Sequence, residues 1–261
     1  MNRKIISVIN QKGGVGKTTT VINLAAGLTM KGKKILVIDL DPQGNATTGL
    51  GLSNTTSSEQ TIYNVLNGNK KISDVIQSTS FENLDLISSN VDLSGLEVET
   101  AGDSRRAFKL KDELSSILNN SGSSYDYIII DCPPSLNLLT LNALVASDTV
   151  LVPLQAEFLP LEGLSQLMLS VKHIRETENS KLRFEGIVLT MFDRRNNLCW
   201  QVEEDVRETL TGLVYSAVIP RSVKLSEAPS YGQSIFDYSP RSRGALAYKA
   251  LASELIEQNS T

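Results

Sequence analysis

The stretch "INQKGGVGKTTTV", residues 9–21, decides the fold. It closes as a phosphate-binding loop closes: Gly16, Lys17 and Thr18 match the end of G-x-x-x-x-G-K-[ST], in which backbone N–H groups and a lysine hold phosphates. Its opening does not match. The position five before Gly16 is Gln11 rather than glycine, and a second lysine, Lys12, stands beside it. An apolar run (5–9) precedes the loop and a helix-like segment (17–31) follows, the strand–loop–helix context that such a loop needs. Gly13, Gly14, Val15 and Gly16 supply the turning backbone, whose N–H groups face an anion with the helix dipole behind them. Lys17 is then expected to reach the β- and γ-phosphates, Thr18 to ligate Mg²⁺, and Thr19 to bond near the α-phosphate. Taken alone, the stretch also reads as a glycine-rich turn with solvated lysines.

Working outward, β-branched runs alternate with helix-like segments. "IISVI" (5–9), "KILVIDL" (34–40), "YDYIIIDCP" (125–133), "DTVLVPL" (148–154) and "FEGIVLTMF" (184–192) are almost continuously apolar, as strands buried on both faces are. Helix candidates lie at 17–31, 138–147 and 160–178, and "LDLIS" (84–88) adds a weaker strand. Repeated strand–helix–strand units predict an α/β fold: a mostly parallel central sheet with helices on both faces, a three-layer arrangement. Polar "LSNTTSSEQT" (52–61) reads as a surface connection. No repeat and no linker is visible, so residues 1–261 read as a single domain.

Two further segments carry acids. "VIDLDPQGNAT" (37–47) puts Asp39 and Asp41 at a strand's C-terminal end, where parallel sheets place ligand sites. Asp39 suits the Mg²⁺ shell and Asp41 the orientation of an attacking water; a turn built on Asp41-Pro42 is the alternative. "YIIIDCPPS" (127–135) ends an apolar run in Asp131, the form of the acid that holds Mg²⁺ through water. Together the three segments make a set of phosphate loop, catalytic acid and metal acid.

Composition limits the classes. Hydrophobic residues are 41% and charged residues 21%, the balance of a soluble globular chain. No apolar run reaches membrane-span length, and the N-terminus lacks a signal-peptide pattern, so a cytoplasmic setting is expected. Cys132 and Cys199 have no metal-like spacing, and the lone His173 reads as a helix-surface residue. A net charge of −4 means that any nucleic-acid contact must come from a local patch.

The sequence resembles the ParA/MinD class of P-loop ATPases, and within it the small chromosome-partitioning ParA proteins often called Soj. The resemblance spans nearly the whole chain and rests on "KGGVGKTTT", "DLDPQGNATTGLG", "YDYIIIDCPPSLNLLTLNAL", "PLQAEFLPLEGLSQL" and "VIPRSVKLSEAPSYGQSI" with "YSPRSRGA". In that family the loop opens with a lysine, so Gln11 is expected. The resemblance implies ATP and Mg²⁺ as ligands and a face-to-face homodimer in which Lys12 reaches the other subunit's nucleotide. It also implies Asp41 as the water-orienting acid, and Gly13 where subunit approach leaves no room for a side chain. Met191 in "TMF" and Pro220, Arg221 and Ser222 in "IPRS" are implied to flank adenine; Glu157 approaches the ribose or the dimer interface, or is an exposed loop residue. No N-K-x-D guanine motif is present, which favours ATP over GTP.

The family's non-specific DNA contacts map onto Arg195 and Lys224, with Arg194 and Arg221 as further candidates; solvated loop charges are the other reading. At Lys224 a relative has arginine, a change tolerable for phosphate contacts without base readout. A ParB/Spo0J-type partner is implied to stimulate hydrolysis, and the ATP-bound form to associate with the nucleoid. The rival is a MinD-like membrane ATPase, which needs a basic amphipathic tail. "AYKALASELIEQNST" carries Glu254 and Glu257 instead, so no membrane partner is expected. The cysteines match no iron-protein pair, and a loop that starts at residue 11 leaves no room for the N-terminal extension of larger plasmid forms.

Overall fold

A computed structural model describes residues 3–52, 58–118, 125–157 and 160–260; the middle of the polar connection expected at 52–61 lies outside them. Eight strands form one sheet: β1 (Lys4–Val8), β2 (Ile35–Asp39), β3 (Gln77–Ser78), β4 (Leu84–Ile87), β5 (Tyr127–Asp131), β6 (Thr149–Gln155), β7 (Arg183–Phe192) and β8 (Val214–Pro220). Their order is β3-β4-β2-β5-β1-β6-β7-β8, and every neighbouring pair is parallel except β3–β4. The helices are α1 (Lys17–Thr29), α2 (Asn45–Gly49), α3 (Ile62–Leu66), α4 (Leu96–Glu99), α5 (Lys109–Leu118), α6 (Leu138–Ala146), α7 (Pro160–Thr177), α8 (Asn197–Thr209), α9 (Val223–Glu227), α10 (Ile235–Tyr238) and α11 (Arg243–Gln258).

Strand alternation sorts the apolar side chains into two cores. Leu36, Ile38, Ile128 and Ile130 face one side, covered by α3, α5, α6, α7 and α8. Ile35, Val37, Tyr127 and Ile129 face the other, beneath α1, α9, α10 and α11. The same period of two carries Asp39 and Asp131 to the face of α1, because each lies two residues beyond an α1-facing neighbour, Val37 and Ile129. Helix α1 is buried nearly all round from Thr20 to Leu28, since α11 packs against the side away from the sheet.

The three-layer α/β expectation holds. β8 and β3 are not continuous apolar runs: β8 is an edge strand with alternating burial, and β3 is two residues long. Strand order reverses around β1, which lies between β5 and β6, and such a reversal opens a crevice at the strands' C-terminal ends. The segment 10–16 enters that crevice.

Candidate functional site

The loop between β1 and α1 is braced from the strands beside it. Asn10 donates its amide to Pro153 O (2.8 Å) and accepts the Lys12 N–H (3.0 Å). Thr190 donates its hydroxyl to Val15 O (2.8 Å), pinning a buried valine. Gly14 (φ 76°) and Gly16 (φ 88°) adopt the left-handed conformation that favours glycine. Gly16 caps α1 with no side-chain bond, so no side chain occupies the helix's first N–H groups, and a Cβ at Gly13, Gly14 or Gly16 would meet nothing within 4 Å. The result is an open, donor-lined cradle.

Asp39 and Asp131 are register partners on adjacent strands, both fully buried. Asp39 Oδ2 accepts from the Thr47 N–H (2.8 Å) and hydroxyl (2.7 Å), and Oδ1 from the Asp41 N–H (3.1 Å). Burial outweighs those bonds and raises its pKa to about 6. Asp131 is also pushed well above the usual carboxylate range, by burial and then by the charge of Asp39, and neither of its oxygens makes a well-formed hydrogen bond, although Thr18 lies close enough to favour the ionised form. Lys17 is buried as well; burial lowers its pKa against the attraction of Asp131 and Asp41, and its ammonium donates to Lys12 O (3.2 Å). Asp131 and Asp41 lie in the field of Lys17, and the Asp131 oxygens, without a well-formed hydrogen bond and beside the buried Asp39 carboxylate, suit a bound cation. Among the described residues no three carboxylate, thiol or imidazole groups form a closed cage. The set therefore fits a Mg²⁺ ion, which keeps several waters and takes one or two protein groups plus phosphate oxygens.

Asp41 lies at the rim of this buried set, with Oδ1 accepting the Gln43 N–H (3.0 Å) and its carbonyl accepting the Ser89 hydroxyl (2.5 Å). Lys12 is exposed, and its ammonium pairs with Glu157 Oε2 at 2.9 Å. Thr19 lies half-buried in the first turn of α1.

The ends of β7 and β8 bring the remaining sequence candidates together. Met191 has φ 51°, rare for a residue with a side chain, and sits where the β7–β8 register slips so that Phe192 pairs with Pro220. Arg221 donates its N–H to Phe192 O (3.1 Å), and Ser222 caps α9 without a side-chain bond. The strained Met191 was not legible in the sequence, because a backbone angle has no letter of its own.

Arg194, Arg195, Arg221 and Lys224 are exposed and line one cleft of about 1200 Å³, together with Arg243, Trp200 and Leu246. Lys224 lies on α9, just after the end of β8, and its ammonium donates to Ser239 Oγ (3.0 Å). Arg195 is 90% exposed but bound through two nitrogens to Asp193, whose pKa that contact lowers to about 2. Trp200 and Arg243, on α8 and α11, join the cleft through folding and not through sequence proximity.

The AAA domain family model matches residues 3–184. The sporulation initiation inhibitor protein Soj of Bacillus subtilis is 50% identical, over 97% of this chain and 98% of its own. The chromosome partitioning protein ParA of Caulobacter vibrioides is 48% identical, over 98% of this chain and 94% of its own. Among solved structures, a Mycobacterium smegmatis protein described as cobyrinic acid a,c-diamide synthase, with bound ADP and magnesium, superposes with TM-score 0.85 at 33% identity, covering 100% of this chain and 96% of that one. The septum site-determining protein MinD from Pyrococcus horikoshii, complexed with Mg-ADP, gives TM-score 0.81 at 27% identity, covering 99% and 98%.

Proposed function

The chain belongs to the Soj/ParA family of chromosome-partitioning ATPases, and from that premise we propose that it is an ATP-driven switch in DNA segregation. One observation carries the reading: a complete phosphate cradle has one lysine buried within it, Lys17, and a second, Lys12, exposed at its lip. A solvent-exposed cation at the lip suits a phosphate supplied by a second subunit. The whole chain acts as one ATPase unit, since β8 and α11, beyond the matched residues 3–184, complete the same sheet and cover α1.

In this reading the backbone N–H groups of Gly13–Thr19 and the Lys17 ammonium hold the β- and γ-phosphates of ATP. Thr18 would hold Mg²⁺ directly and Asp39 and Asp131 through water. There the ion would offset the three acids and charge on the phosphates. Asp41 orients the attacking water, and Lys12 of the opposite subunit stabilises charge that builds on the γ-phosphoryl oxygens. Adenine lies between Met191 and the Pro220–Ser222 turn. The ATP-bound dimer holds double-stranded DNA on Arg194, Arg195, Arg221 and Lys224 without base readout, and a ParB-type partner speeds hydrolysis and so releases it. The setting is the cytoplasm, on the nucleoid when ATP is bound.

Two rivals have specific observations against them. A MinD-like membrane tail needs a free amphipathic face, but α11 buries Ala245, Tyr248, Leu251 and Leu255 within the fold. No helix among the described residues is long and apolar enough to cross a membrane. Amide synthesis, suggested by the mycobacterial neighbour's description, would by a thiol route need an activated cysteine and a base. Cys132 and Cys199 are buried, burial pushes the Cys132 thiol up, and the one histidine, His173, is exposed on α7.

Co-sedimentation with DNA and with anionic liposomes, in ATP, ADP or no nucleotide, tests the reading. ATP-dependent recovery with DNA alone is expected; recovery with liposomes alone would overturn it.

A further inference from the structure

Lys12 is held at three points by its own chain. Its N–H goes to Asn10 Oδ1, its carbonyl accepts from Lys17 Nζ, and its ammonium sits on Glu157 Oε2. Glu157 is itself oriented: its other oxygen, Oε1, accepts from the Gln155 amide, and Gln155 is the last residue of β6, the strand beside β1. These contacts join residues 145 positions apart across the mouth of the cradle.

We propose that Glu157 is a positioning residue for Lys12, holding the second lysine in its own subunit until nucleotide binds and so setting the threshold for ATP-driven dimerisation. The inference rests on the reading of Lys12 as acting across the dimer.

The release follows from charge. Phosphates are stronger acceptors than a backbone carbonyl, so ATP draws the Lys17 ammonium off Lys12 O and removes one of the three holds. What remains is an ion pair whose side chains are 56% and 50% exposed. A pair so solvated is weak, equivalent to a shift of about 1.4- to 5-fold in an equilibrium. That weakness suits the task, because the multiply charged phosphates of a second subunit outcompete one solvated carboxylate. A buried pair would lock Lys12 in place.

Glu157→Gln keeps the shape and removes the charge, and its exposure leaves the fold intact. Sedimentation of the full chain with Mg²⁺ and a non-hydrolysable ATP analogue gives the protein concentration at half-dimerisation. E157Q is expected to lower it about 2- to 25-fold, one pair being released in each subunit, and by more than any change in the monomer's affinity for ADP. In a Lys12→Ala background the E157Q shift is expected to vanish. An unchanged or raised midpoint overturns the proposal. So does a shift matched by an equal gain in ADP affinity, or one that persists in K12A, since either is the work of lost negative charge alone. If K12A dimerises as the wild type does, the role of Lys12 across the dimer falls, and this inference with it; if K12A is impaired and E157Q is silent, only the positioning role of Glu157 falls.

Discussion

Lys17 is the cation that acts on Asp131, and it also attracts Asp41. A buried carboxylate without bonds costs a few kcal/mol, so Asp131→Asn is expected to stabilise the metal-free protein by about 1–3 kcal/mol in urea unfolding. The same change should abolish the Mg²⁺ dependence of nucleotide binding, read by titration with and without the ion. Asp41→Ala should retain ATP but lose about 10²–10³-fold in turnover, as the loss of a group that aligns a nucleophile does; steady-state kinetics set against nucleotide affinity checks this. Gly13 needs no side-chain-free space within its own chain, so Gly13→Val should fold and bind ADP normally. Its ATP-dependent dimer should be absent on gel filtration. Lys12, Lys17, Asp39, Asp41 and Asp131 were legible because each lies in a contiguous motif with a fixed chemical task. The partner of Lys12 was not, because a contact across 145 positions leaves no local pattern.

At the scale of elements, the sequence marked buried strands well and edge strands poorly. β5 reads as an unbroken apolar run because helices cover both its faces, whereas β8 alternates because its position at the sheet edge leaves half its side chains less covered. Helix α1 was found from its start signal, but that α11 covers it could not be read from either helix alone. A tight approach between elements was equally hidden: Gly232, at the end of the turn after α9, has φ 63°, and a Cβ there would lie 2.9 Å from Gly51 Cα. That contact ties the segment following α2 to the turn beside the cleft. Gly232→Ala is expected to destabilise the fold by about 2–4 kcal/mol, from left-handed strain and backbone overlap together, measured as a lower denaturation midpoint with an unchanged slope.

Across the whole molecule, a chain of net charge −4 gathers Arg194, Arg195, Arg221, Lys224 and Arg243 around one cleft. Composition hid this patch, because the cations come from separate segments and acids elsewhere balance them. DNA affinity should fall steeply with salt, and Lys224→Ala should reduce the slope of log affinity against log salt by about one. Asp193→Asn should instead strengthen binding by freeing Arg195; filter binding at several salt concentrations reads both changes. The cleft also holds the chain's one tryptophan. Trp200 is 48% exposed, donates its indole N–H to Arg194 O, and stands edge-on to Phe192, whose carbonyl takes the Arg221 N–H. The protein thus carries a built-in optical probe at the place where the phosphate backbone is expected to lie. Its ultraviolet emission can time the arrival and departure of DNA without any dye, while nucleotide exchange is followed separately.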